Sequence, residues 1–189
     1  MTNILAKSLA VLVTVLTMGC AQTTETDTAQ SRLTMVISGD AAILSNDNAL
    51  LGWHPTMFTI HTDSEQEEAE IQRHMRASLT KIMQQKGYRF ANSNESANVL
   101  IGFGLALESQ MSDAEILERA GLVAGLSTHG VDDKFEKGSV MVALFSPMQQ
   151  QPVWRVLAQG FTNPNAKLTD REQRFDELAL KMLHNIPVK

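Results

Sequence analysis

The sequence predicts an α+β domain, a largely antiparallel sheet of about five strands with two or three packed amphipathic helices. Three observations point to it. Short, largely apolar runs of strand length lie at 98–108, 138–146 and 153–161. Two long stretches, 64–86 and 169–186, repeat apolar residues at helical spacing instead. Strand and helix signals then mix without the regular alternation that builds a parallel sheet.

In chain order, Val36 and Ile37 make residues 33–38 a short strand. Residues 39–55 are rich in Gly, Asp and Asn and read as a loop that Leu50 and Leu51 pack down. Residues 56–61 follow as a second strand. Helix 64–86 opens on a capping box of Ser64 and Glu67, with each side chain answering a free backbone N–H. Its buried stripe is Ile71, Met75, Leu79, Ile82 and Met83, and Gly87 supplies a left-handed stop. Residues 88–91 are extended and 92–96 form a polar turn.

Strand 98–108 is apolar on both faces. Val99, Ile101, Phe103, Leu105 and Leu107 share one, and Leu100, Gly102, Gly104 and Ala106 the other. It is therefore central, with a small-residue face that would admit a helix closely. Residues 112–126 read as a helix with a second capping box, Ser112 with Glu115. A charged loop covers 129–137, and 138–146 with 153–161 form a hairpin around Pro147 and Pro152. The last helix, 169–186, carries a third capping box through Glu172 and a stripe of Phe175, Leu178, Ala179, Met182 and Ile186; Pro187 stops it. Neither a repeat nor a second domain boundary is visible, so residues 32–189 are one domain.

The first twenty residues give an address. Residues 1–19 contain no acid, and Lys7 supplies a positive start before the apolar run 8–18. That run has the length of a signal-peptide core and is shorter than the roughly 20 residues a membrane span needs. Gly19-Cys20-Ala21 follows, and Cys20 is the only cysteine of the chain. This step resembles the lipobox of bacterial lipoproteins, which implies diacylglycerol and an acyl chain on Cys20 and a signal peptide at 1–19. Cleavage after Ala21 by ordinary signal peptidase is the competing reading. Ala21, rather than an acid, after the cysteine implies the outer membrane by the same resemblance, with the domain facing the periplasm. Residues 20–31 are Thr- and acid-rich and read as anchor and tether.

Formal net charge is −5 with 16 basic and 21 acidic residues, and removal of Lys7 with the signal peptide makes it −6. Without a basic stripe the chain is no nucleic-acid binder, because phosphate binding rests on Lys and Arg. The apolar content of 43% against 20% charged residues excludes wholesale disorder.

The order of elements resembles a family of small bacterial lipoproteins known as domain of unknown function 4136. The residues that carry the likeness are the step Lys86-Gly87-Tyr88, the strand Ala97-Asn98-Val99-Leu100-Ile101, the hairpin step Val153-Trp154-Arg155 and the closing helix. The resemblance spans most of 33–187. It implies an envelope location and a fold, and brings no catalytic residues.

The sequence offers no catalytic constellation. There is no Gly-x-Ser-x-Gly elbow, and Gly102-Phe103-Gly104 lies inside a strand without a third glycine. Histidines 54, 61, 74, 129 and 184 lack ligand spacing, and Glu70 with His74 make at most half a metal site. Ten methionines fit core packing better than copper. No metal or cofactor is expected beyond the lipid at Cys20. Two features remain as candidate partner contacts. One is Trp154 with Arg155 on the hairpin, residue types favoured at interfaces. The other is the apolar segment holding Ile116, Leu122, Val123 and Leu126, which is either core filler or an exposed patch.

The expected function is a non-catalytic envelope binding or assembly-accessory module, held to the membrane by lipid and meeting an envelope protein through a sheet edge or the segment 116–126. A carrier of a small apolar or lipid ligand, gripped between helix and sheet, is the alternative. An unrecognised hydrolase ranks behind both.

Overall fold

The computed structural model describes residues 28–61 and 65–189; the expected signal peptide, Cys20, most of the expected tether and Ser64 of the expected capping box lie outside them. Elements follow in the order α1 (Thr28–Ser31), β1 (Leu33–Gly39), a 3-10 turn (Ala41–Ser45), β2 (Leu50–His61), α2 (Glu65–Gln85), β3 (Arg89–Phe90), β4 (Val99–Leu107), α3 (Asp113–Ala120), β5 (Glu136–Phe145), β6 (Trp154–Thr162) and α4 (Leu168–Met182). The sheet has six strands in the order β1-β6-β5-β4-β2-β3.

The α+β class holds, but the sheet is mixed. β1, β6, β5 and β4 pair antiparallel, whereas β2 runs parallel to both β4 and β3. The parallel pairs follow from α2. A helix of 21 residues between β2 and β4 carries the chain back to the end from which it started, so the next strand repeats the direction of the last. The expected loop over 39–55 likewise contains structure. The 3-10 turn buries Leu44, and β2 already begins at Leu50. Pro55 obscures it in the sequence. The register with β4 shifts between Trp53 and Phe58, and a proline that cannot donate to a ladder is tolerated at such an irregularity.

One face of the sheet is covered by α2 and α4. Met75, Leu79, Ile82 and Met83 of α2 and Phe175, Ala179 and Met182 of α4 meet Ile101, Phe103, Val142, Leu144, Trp154 and Val156 there. Both stripes match their predicted faces. The capping of α4 does not: the helix starts at Leu168 with Lys167 at its N-cap and no side-chain cap bond. Glu172 turns instead toward α2. The chain end is pinned beside α2, where the Lys189 N–H donates to Lys86 O and the Tyr88 hydroxyl to Pro187 O.

The opposite face carries a thinner layer. α3 keeps its expected capping box, with the Ser112 side chain accepting from the Glu115 N–H and Glu115 reaching back. It ends six residues earlier than the sequence suggests. Gly121 adopts φ +65, its N–H closing on Leu117 O, and the following residues leave the helix and pack against the sheet. Gly121 is a left-handed stop that the apolar run Leu122-Val123-Ala124 conceals in the sequence. At Gly102 the close neighbour is the Met57 side chain from β2, whose Cβ would lie 2.9 Å from an added methyl, and not the expected helix.

Candidate functional site

A groove of about 540 Å³ opens at one end of the helical face. The sheet supplies its floor through Leu33 of β1, Leu105 and Leu107 of β4 and Val140 of β5; α2 and α4 supply its walls through Ile71, Met75, Phe175 and Leu178. The fully buried stripe of α2 begins only at Met75, and Ile71, one turn earlier, is half-exposed. The volume lies within the range typical of small-molecule sites, and an apolar interior with a few polar groups at the rim is their usual composition.

The rim is charged and cross-linked. Arg171 Nη1 meets Glu67 Oε1 at 2.6 Å, tying α4 to the start of α2. His74 Nε2 lies 2.8 Å from Asp176 Oδ1, with Glu172 Oε1 at 3.6 Å from Nδ1. Arg174 donates to Phe161 O at 2.6 Å and so ties α4 to β6. The Glu70–His74 pairing considered from the sequence gives way to this interhelical set, since Asp176 and Glu172 approach His74 from the other helix. Among the described residues no group of three potential ligands could hold a metal ion, and no helix is long and apolar enough to cross a membrane. Among the described residues, the buried Arg171 Nε–H has no acceptor.

The candidate contact residues are elsewhere, and mostly inside. Ile116 and Leu122 pack with Leu157 beneath α3, and Leu126 packs with Ala29, Phe135 and Phe161. Val123 is half-buried. The exposed patch considered for this segment is therefore not formed: once Gly121 ends the helix, its apolar side chains lie down on β5 and β6. Trp154 is 3% exposed on the helical face. Arg155 is half-buried on the other face, its guanidinium lying against Gly121, so the two neighbours point to opposite layers.

Sequence reasoning missed a buried polar cluster on that second face. Lys137 is 5% exposed and bonds Glu108 Oε1 at 2.9 Å and Asp113 Oδ2 at 3.0 Å. Gln159, fully buried, donates to Asp113 Oδ1 (2.7 Å) and Ser139 Oγ (3.1 Å) and accepts from the Leu126 N–H (3.0 Å). Burial works against the Lys137 ammonium, but its two carboxylate partners outweigh it and hold the pKa above the ordinary lysine value. The cluster fastens both ends of the α3 layer to the sheet. A signal was available: Lys137, Ser139 and Gln159 fall in the inward phase of otherwise apolar strands.

The comparisons can now be set beside this geometry. Residues 51–188 match the family described as domain of unknown function, DUF4136. The chain belongs to that family. No curated protein matches it. Among solved structures, a PelC dodecamer from Paraburkholderia phytofirmans is similar at 9% identity and a TM-score of 0.50, over 84% of this chain and 99% of that one. A DUF4136 family protein from Bacteroides thetaiotaomicron is similar at 13% identity and a TM-score of 0.48, over 83% of this chain and 98% of that one. At 9% identity the likeness to the PelC dodecamer speaks to the fold alone. The match begins at Leu51, so β1 and the 3-10 turn of this DUF4136 protein precede the matched region.

Proposed function

We propose that this protein is a lipid-anchored envelope protein, facing the periplasm from the outer membrane, whose domain binds a small apolar or lipid ligand between helix and sheet without chemistry. The observation that carries the reading is the groove of about 540 Å³ with Leu33, Ile71, Met75, Leu105 and Phe175 in its lining. Burying an alkyl chain there gains roughly 0.8 kcal/mol per methylene. The ligand head belongs at the charged rim, where the Arg171 Nε–H would find an oxygen acceptor. A fatty acid has both parts. Binding of an envelope protein, which ranked first from the sequence, loses its proposed contacts at Ile116, Leu122 and Leu126 to burial and retains the sheet edge.

Titrating the purified full chain with a fluorescent C16 fatty acid tests the groove. Leu105→Trp, which fills the floor, is expected to weaken binding at least about tenfold, equivalent to 1.4 kcal/mol, with unchanged circular dichroism. Equal binding by both proteins, or none by wild type, would sink the reading. The anchor is tested separately. Cys20→Ser is expected to abolish palmitate labelling in cells and move the protein from membranes to the soluble fraction; unlabelled wild type would refute the lipid.

A further inference from the structure

The two edges of the sheet are built differently. β3 is only two residues long, and its Arg89 pairs with Glu95 at 2.7 Å, so that edge is short and charged. Edges of this kind resist pairing with other chains. β1 is the opposite. Its seven residues, Leu-Thr-Met-Val-Ile-Ser-Gly, include no charge and no proline, and it pairs with β6 without interruption from Leu33–Gly160 to Gly39–Trp154. On its helical side Met35 and Ile37 remain 40% and 43% exposed, beyond the cover of α4. A straight, uncharged edge flanked by exposed apolar side chains is a template for another strand.

We infer that β1 is a self-association strand, which pairs antiparallel with β1 of a second copy about a two-fold axis at Val36. The partner is read from the sequence around that axis. Centred on Val36, the pairing sets Met35 opposite Ile37, Thr34 opposite Ser38, Leu33 opposite Gly39 and Arg32 opposite Asp40 of the second copy. Apolar meets apolar, hydroxyl meets hydroxyl and the charges are opposite, all of which favour cross-strand pairs. Moving the axis to Met35 sets Arg32 against Ser38 and Thr34 against Val36; moving it to Ile37 sets Met35 against Gly39 and Thr34 against Asp40. Of the three, the Val36 register alone sets Arg32 opposite Asp40, and its one unmatched pair is Leu33 with Gly39. Self-complementarity of this kind is what a two-fold interface requires, since each residue meets its counterpart twice.

Flanking contacts leave these residues in place for it. Arg32 already lies over the Phe161 ring and donates to the Ser127 and His129 carbonyls; Asp40 accepts from the Ala42 N–H. A guanidinium has five donors and a carboxylate two oxygens, so both have capacity for a further partner. The axis is perpendicular to the sheet, so the helices of both copies lie on one side of the joined sheet, where Met35 and Ile37 of each copy cover one another. The inference does not depend on the groove or its ligand.

Charge reversal in separate copies gives the test, read by sedimentation of the full chain carrying Cys20→Ser at about 100 µM. The parent is expected to be a dimer. Arg32→Asp and Asp40→Arg variants, which set like charges opposite each other, are each expected to be monomers, and an equimolar mixture of the two to be a dimer again. Damage to the fold would not be repaired by mixing, so only the pairing explains rescue. In the same Cys20→Ser background Val36→Cys should form a disulfide-linked dimer on mild oxidation, and adding Ile37→Lys should prevent it. A monomeric parent, a mixture that stays monomeric, or a parent oligomer that Val36→Cys fails to link would each overturn the inference.

Discussion

Asp113→Ala is expected to cost about 1–3 kcal/mol, the penalty for taking an acceptor away from buried donors. Asp113 accepts from two groups that have little access to water. Lys137 Nζ would retain only Glu108, and Gln159, fully buried, would lose its shortest bond. The Ala side chain supplies no acceptor, and because the Asp113 side chain is 35% exposed, water replaces only part of what it gives. The loss also loosens a whole layer, because the same Gln159 holds the Leu126 N–H and Asp113 is the first residue of α3. Thermal unfolding should fall by about 2–12 °C at roughly 2–4 °C per kcal/mol. The effect also has a pH signature. Lys137 has its pKa raised in the folded state, so its contribution is present below the ordinary lysine value of 10.5 and fades as pH climbs through the folded value. The gap between wild type and variant should therefore narrow as pH rises beyond 10.5, leaving the share that belongs to Gln159. Urea midpoints at pH 7 and near pH 11 measure this, and a gap that stays constant would show that the ammonium is not what Asp113 serves.

How much of this was legible in the sequence depends on the range over which the determining contact acts. The stripes of α2 and α4 and the two-faced apolarity of β4 are local patterns, and the fold reproduces them residue by residue. The capping box at Ser112 and Glu115 is local too, and it forms. The box expected through Glu172 fails because a histidine on a distant helix competes for that carboxylate: His74 is 98 residues away along the chain. The parallel pairing of β2 with β4 is equally non-local, as the strand signal is the same whichever way a neighbour runs. The end of α3 is legible at Gly121 but masked by the apolar run beyond it, which is apolar because it packs on the sheet. The groove left no trace, because a residue that lines a space and one that fills it are the same residue types.

Phe103 and Leu105 make that last point measurable. They sit two residues apart on β4, on the same face, in one unbroken alternation. Phe103 is fully buried, with its ring edge-on to Trp53 at 5.9 Å, and is surrounded by the helical core. Phe103→Ala is expected to lose about 3–5 kcal/mol, since the apolar transfer term and the cavity both count at a site whose neighbours cannot collapse. Leu105 borders the groove, where one side of the side chain already lacks protein contacts. Leu105→Ala removes fewer contacts and enlarges a space that exists, so its cost should fall near or below the lower end of the Leu→Ala range, about 2–3 kcal/mol or less. Chemical denaturation of the two variants gives the comparison directly. Equal losses would mean that Leu105 is packed as tightly as Phe103 and that the groove is closed in solution; a clear difference, with Phe103→Ala the worse, would place the boundary between core and binding space between these two positions of one strand.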